Sequence, residues 1–220
     1  MKEEKAKILR SIYIPSLILL LMWLVMFLQW YFSTSLYFLG VNPLHFNGLQ
    51  GVITSVLVHG NWGHLIGNSV PFFLFSSALF YYYPRISTKV FFGMWLTSGI
   101  YLWLFARENW HIGASGLVYS LAFFHLTIAL LKRELRIVSF SMLIIFLYGS
   151  MVWGFFPEFY PEENISWQAH LMGAVVGVIF AFFFKEEAPK PKEYFEDEID
   201  DDEDDEFPYW MSETSDNTLN

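Results

Sequence analysis

AHLMGAVVGVIFAFFF, residues 169–184, carries no formal charge and a single imidazole among apolar and small side chains. With Trp167 and Gln168 in front of it, the apolar segment runs from 167 to 184. A bilayer core takes about 20 helical residues to cross, so the segment reads as a transmembrane helix. Ala169, Gly173 and Gly177 recur every four residues. That spacing puts all three on one face, and a small-xxx-small face lets a second membrane helix approach closely. The stretch therefore describes a buried helix in a membrane bundle, with His170 three residues inside it.

Other apolar segments recur along the chain, near 12–32, 64–83, 89–106, 114–131 and 137–155, which makes six helices with 167–184. The 220 residues are 55% hydrophobic and 20% aromatic, more than a soluble domain of this size could hide. The fold class is all-α: a polytopic membrane protein built on a six-helix bundle. There are no cysteines, which excludes disulfides, thiol catalysis and thiolate metal sites. Pro15 fits the first turn of helix 1, where its missing N–H does no harm. The start KEEKAKILR lacks a small-residue cleavage site before the apolar run, so helix 1 reads as retained.

Lys and Arg give the orientation. Twelve of the 13 basic residues fall before helix 1, in the 2–3 and 4–5 loops or after helix 6, and only Arg107 lies opposite. The positive-inside rule puts both termini in the cytoplasm of what is expected to be a plasma (inner) membrane. Trp30, Tyr31, Phe32 and Tyr81, Tyr82, Tyr83 stand where interface anchors belong. Three parts are expected: a cytoplasmic segment 1–11, a membrane domain 12–185 and a tail 186–220. The tail holds fifteen of the 22 acidic residues and is expected to be disordered. The first outer loop, about 33–63, contains GLQGVITSVLVHGNWG, too apolar for a free loop and too broken by glycine for a span. It is expected to be partly embedded in the outer leaflet. The loop 155–166, with two prolines, is expected to cover the outer side.

Polar groups inside spans are costly and are functional candidates by default. His64 and Asn68 open helix 2, Ser115 opens helix 4, and His170 lies near the start of helix 6. All three helices run from outside to inside, so these groups share one shallow outer level. His64 and Asn68 share a helix face, as do Ser115 and Tyr119. Gly113, Ala114 and Gly116 make the start of helix 4 small. If that patch meets the smooth side of helix 6, Ser115 and His170 come within hydrogen-bond reach. A neutral imidazole can take the proton of a serine hydroxyl and make it a nucleophile. The N–H of Ser115 at a helix N-terminus, with the side chains of His64 and Asn68, can receive an oxyanion. No Asp or Glu lies inside a span near these groups, so the arrangement is a dyad. Tyr119 can orient His170 by stacking.

HGNWGHLIGN (59–68), GASG (113–116) and AHLMGAVVG (169–177) together resemble the motifs of the rhomboid intramembrane serine proteases. The family pattern is HxxxxHxxxN on the second of six helices, GxSG opening the fourth and AHxxGxxxG on the sixth. All three occur here in that order, and the resemblance covers roughly residues 12–184. It implies that Ser115 is the nucleophile, His170 the general base, and His64 and Asn68 oxyanion-hole side chains. It implies that Tyr119 packs on the catalytic histidine, that His59 is a structural hydrogen-bonding residue, and that Gly116, Gly173 and Gly177 are helix-contact glycines. Many members carry a Trp-Arg pair in the first outer loop; none occurs here. The implied partners are single-span transmembrane substrates and the lipid bilayer, with no nucleic acid, cofactor or metal. Access for substrate is expected between helices 2 and 5.

Three rivals come from other classes. A catalytically silent rhomboid-like binder of transmembrane clients is opposed by the presence of both dyad residues. A metal-dependent hydrolase using His59, His64 and His170 is weakened by the lack of an intramembrane carboxylate and of an HExxH pair. A transporter is disfavoured by the lack of a repeat and of charge at the midplane. His45 and His111 read as solvated loop residues, and His125 is given no role.

Overall fold

The computed structural model describes residues 2–156, 158 and 166–189. The tail beyond 189, and most of the expected cover at 155–166, lie outside the described residues. Six long helices appear: α1 (Lys2–Tyr31), α3 (Trp62–Tyr82), α4 (Ser87–Phe105), α5 (Ser115–Lys132), α6 (Leu135–Tyr148) and α7 (Trp167–Phe184), with a four-residue α2 (Gly51–Thr54) in the first loop. Five of these segments are apolar and long enough to cross a membrane, α6 only together with the residues that follow it to Phe155. The other, α4, has the length, but its Ser, Thr, Tyr and Trp residues lower its mean hydropathy.

Burial is arranged for lipid rather than water. Leu17, Leu20, Leu24, Phe27 and Leu28 of α1 and Phe146 of α6 are exposed, while Ser76, Ser120, His125 and Ser141 are buried. Those inward polar groups reach main-chain carbonyls: Ser76 to Phe72, Ser120 to Gly173, His125 to Phe75 and Ser141 to the carbonyl of His125. A polar atom in hydrocarbon needs such a partner inside the protein.

α5 and α7 form the centre, and their backbones touch. A Cβ on Gly173 would lie 2.0 Å from the carbonyl oxygen of Gly116, and one on Gly177 would lie 2.2 Å from that of Ser120. The expected small-on-small contact is thus present, and it sets the two helix starts side by side.

Two helices differ from their expected bounds. α1 is continuous from Lys2, because KEEKAKI is made of good helix formers and Glu3 and Glu4 sit in the favourable first turn. Its 30 residues span about 45 Å, more than the ~30 Å hydrocarbon core. The extra turns pack on α3, where the Tyr81 hydroxyl donates to Glu4 and the Lys7 ammonium lies 3.9 Å from the Tyr81 ring centre. α6 ends at Tyr148, and residues Gly149–Phe155 tighten into a 3₁₀ helix. Glycines at both 149 and 154 weaken the α-helix there, and a 3₁₀ run this long often marks a functional place.

The long loop between α1 and α3 is a knot of turns. Val41 and His111 form an antiparallel bridge with N–H···O distances of 2.9 and 2.8 Å. The Thr54 hydroxyl donates to Leu39 O, and Trp95 and Trp103 of α4 donate their indole N–H to the carbonyls of Ile53 and His45. Its backbone polar groups are therefore tied to protein.

Candidate functional site

Ser115 is the first residue of α5, preceded by Gly113 with φ of +108°. That left-handed conformation suits glycine. Gly113 N–H donates to Ser55 O at 2.9 Å, which clamps the turn to the long loop between α1 and α3. The residue before the helix, Ala114, has no side chain able to cap it. The first-turn N–H groups of α5 thus have no serine, threonine or aspartate cap over them, and the positive end of the helix dipole lies at Ser115.

His64 and His59 sit over this turn. A Cβ on Gly113 would fall 2.6 Å from Cε1 of His64, so the absence of a side chain at 113 makes room for the imidazole. His64 packs on His59 with ring centres 5.0 Å apart. His59 is buried, and its Nε2 accepts from Ala114 N–H at 3.4 Å, which leaves the ring proton on Nδ1. Burial, then the neighbouring His64, pushes the His59 pKa down to about 3, against an opposing main-chain bond at Leu57. His59 is therefore a neutral structural group that holds the approach to Ser115. Asn61 caps α3 through its side chain, accepting from His64 N–H at 2.8 Å. Asn68 is buried one turn further down and donates one amide N–H to His64 O at 3.0 Å.

His170 comes from the first turns of α7, whose start is capped by Ser166 accepting from Ala169 N–H at 3.3 Å. Its Nδ1 lies 2.8 Å from Gly154 O. A carbonyl only accepts, so Nδ1 carries the proton and the lone pair is on Nε2. The ring of Tyr119 stacks on that of His170, with centres 4.2 Å apart and planes at 8°. The Tyr119 hydroxyl donates to Met151 O at 2.5 Å. Below, Ser120 donates its hydroxyl across the helix pair to Gly173 O at 2.9 Å.

The structure thus gathers His59, His64, Gly113 and Ser115 on one side and Tyr119, His170, Gly116, Gly173 and Gly177 on the other. Gly116, next to Ser115, faces Ala169, next to His170: a Cβ there would lie 3.2 Å from Ala169 O. Among the described residues no hydrogen bond joins Ser115 to His170.

Three histidines lie outside this set. His45 is solvated as expected, beside exposed Glu108. His125 is fully buried, with Nε2–H donating to Phe75 O at 3.0 Å. His111 corrects the solvated-loop reading: it is 3% exposed and bonded through both ring nitrogens. Its backbone bridge to Val41 pulls it under the loop, a contact between residues 70 positions apart that no local pattern announces.

Gly154 is the site residue that sequence reasoning missed. A Cβ there would lie 2.2 Å from the Tyr119 hydroxyl oxygen and 2.9 Å from His170 Nδ1. The only signal was a glycine set among aromatics in MVWGFF (151–156).

The rhomboid domain profile matches residues 47–187, which hold every site residue above. The chain belongs to the rhomboid family. The rhomboid is 32% identical over 163 residues to an uncharacterized protein of Mycobacterium tuberculosis, covering 70% of this chain and 65% of the relative. A Mycobacterium leprae protein, also uncharacterized, matches at 29% over 164 residues, covering 70% of this chain and 62% of that protein. The Bacillus subtilis protein YdcA, which bears the name of a candidate rhomboid protease, is 31% identical over 137 residues, or 60% of this chain and 65% of its own. The chain spans just under two thirds of the length of these relatives. With its several apolar helices of spanning length, this rhomboid is an integral multi-pass membrane protein.

Proposed function

We propose that this rhomboid is an intramembrane serine endopeptidase that cuts single-span transmembrane proteins near the outer interface, with Ser115 as nucleophile and His170 as base. The observation that carries the reading is His170 itself. Its Nδ1–H is held by Gly154 O and its face by Tyr119, so that the basic Nε2 is the nitrogen left for chemistry. In triads a carboxylate fixes the tautomer; here a main-chain carbonyl does so without placing a charge in the membrane.

The reaction follows from these parts. Ser115 Oγ attacks the scissile carbonyl carbon as its proton passes to His170 Nε2. The oxyanion meets the N–H of Ser115 at the start of α5, with His64 and Asn68 as side-chain donors. The C–N bond breaks as His170 returns the proton to the leaving amine, and water then releases the acyl group with His170 again as base. The gap in hydrogen bonding between Ser115 and His170 is compatible with this, since catalytic contacts tighten when substrate binds.

A substrate helix must unwind before its amides are open to attack, so small or helix-destabilising residues should mark the cut site. The proposed access runs between α3 and α6. α6 buries only Ile137, Ser141 and Ile144, and it meets α3 through ring contacts such as Phe75–Phe140 and Phe75–Tyr148. Leu44, Phe46 and Ile53 are 68%, 90% and 60% exposed, which supports seating the first loop in the outer leaflet. Both termini are placed in the cytoplasm, below a plasma membrane.

The test is cleavage of a single-span substrate by the purified protein in liposomes. Ser115→Ala and His170→Ala should each lower the rate about 10³-fold or more. Persistent cleavage by Ser115→Ala would end the serine mechanism. A wild type that binds clients without cutting them would support the silent-binder reading.

A further inference from the structure

His111 lies outside the dyad, yet its side chain joins the two halves of the site. Nε2 is 2.9 Å from Arg107 O and Nδ1 is 2.6 Å from Ser166 Oγ. The carbonyl of Arg107 can only accept, so Nε2 carries the proton. Nδ1 must then accept, and the Ser166 O–H donates to it. The Ser166 oxygen meanwhile accepts from Ala169 N–H in the first turn of α7. One chain of bonds therefore runs Arg107 O, His111, Ser166, Ala169, with every donor and acceptor assigned. Within it, His111 is four residues before Ser115, and the far end, Ala169, is one residue before His170. The His111 backbone is also fixed, by its two-way bridge to Val41. The buried imidazole is a strut between the exposed turn at Arg107 and the half-buried start of α7 at Ser166.

We propose that His111 is a positioning residue: it holds the loop that delivers Ser115 at a set distance from the capped start of the helix that carries His170. The inference rests on the protease reading for its catalytic meaning, and on the helix cap for its structural one. The intimate α5–α7 contact fixes the helices lower down, at Gly173 and Gly177. At the level of the dyad, Tyr119 stacks on His170 and Gly116 faces Ala169; the strut adds a side-chain hydrogen bond from the loop before Ser115 to the residue that caps α7. Burial lowers the pKa of His111, outweighing the main-chain bond at Arg107, so the ring stays in the neutral form that the bonding pattern requires.

The test compares His111→Leu, His111→Asn and Ser166→Ala in the full-length protein. Asparagine places an acceptor oxygen near the position of Nδ1 and can keep the Ser166 bond; leucine cannot. In His111→Leu, amide exchange at Ala169 should speed up about tenfold, and kcat should fall about tenfold with little change in KM. His111→Asn should recover most of both. Adding His111→Leu to Ser166→Ala should cause no further loss, because the two act through one bond. Exchange at Ala169 that stays at the wild-type rate in His111→Leu would overturn the proposal. So would an asparagine variant no better than leucine, or additive losses in the double variant. If wild type neither cuts nor reacts with a serine probe, the protease reading fails, while the exchange experiment still decides whether the strut exists.

Discussion

Gly154 has no side chain, and the space it leaves is filled by two others. The Tyr119 hydroxyl and the His170 imidazole both crowd the point where a Cβ would stand. A Gly154→Ala change must push one of them away, and with it the bond that fixes the His170 tautomer. The expected result is a kcat lowered about 10²-fold with KM nearly unchanged, measured on a transmembrane substrate. Tyr119→Phe keeps the stack and loses the hydroxyl that bonds Met151 O, so its loss should be the smaller of the two. Ser115, His170, His64 and Asn68 could be picked out as candidates from the sequence because a polar side chain in an apolar span needs a reason to be there. Gly154 and His111 were not. The first acts through the side chain it lacks, and the second through partners far away in sequence.

Among the elements, the α5–α7 pair decides whether a site exists. Ser120 spans the pair, donating to Gly173 O at 2.9 Å, with Gly116 O at 3.1 Å as an alternative acceptor. Both carbonyls are helical, so their main-chain bonds survive its loss. Ser120→Ala should therefore cost only about 0.5–1.5 kcal/mol in an unfolding measurement in detergent or lipid. Gly173→Leu is a different kind of change, because even its first atom would meet the Gly116 carbonyl at 2.0 Å. The helices must part, so activity should be lost and stability should drop by more than the serine change costs. This pairing could be foreseen, since a four-residue period of small side chains is a local signal that names a face. The early end of α6 could not. Both an α-helix and a 3₁₀ helix suit MVWGFF as a string, and it is the reach of Gly154 O to His170 that gives the tighter winding its purpose.

Across the whole molecule, the positive-inside reading gives a topology that can be checked, and the lack of native cysteines makes the check direct. Single cysteines at Asn61 or Arg107 should react with an impermeant maleimide from outside intact cells, and those at Arg85 or Arg133 only after permeabilisation. The reverse pattern would invert the orientation. Stability should also depend on pH in a set direction. The folded-state pKa of His59 is about 3 and that of His111 is lowered, whereas both titrate near the ordinary value of 6.5 when unfolded. Below 6.5 the unfolded chain binds protons that the native state refuses. Their contribution is complete above that pH and declines as pH falls towards the folded values, by up to about 1.4 kcal/mol per pH unit for each histidine. The thermal midpoint should therefore drop between pH 7.5 and 5, and less so in His59→Gln.

The most direct measurement is covalent labelling of the purified protein with a fluorophosphonate, followed by mass spectrometry of the adduct. The proposed mechanism predicts a single modified residue, Ser115, and no adduct in either Ser115→Ala or His170→Ala. An adduct on another residue, or full labelling of Ser115 without His170, would contradict it.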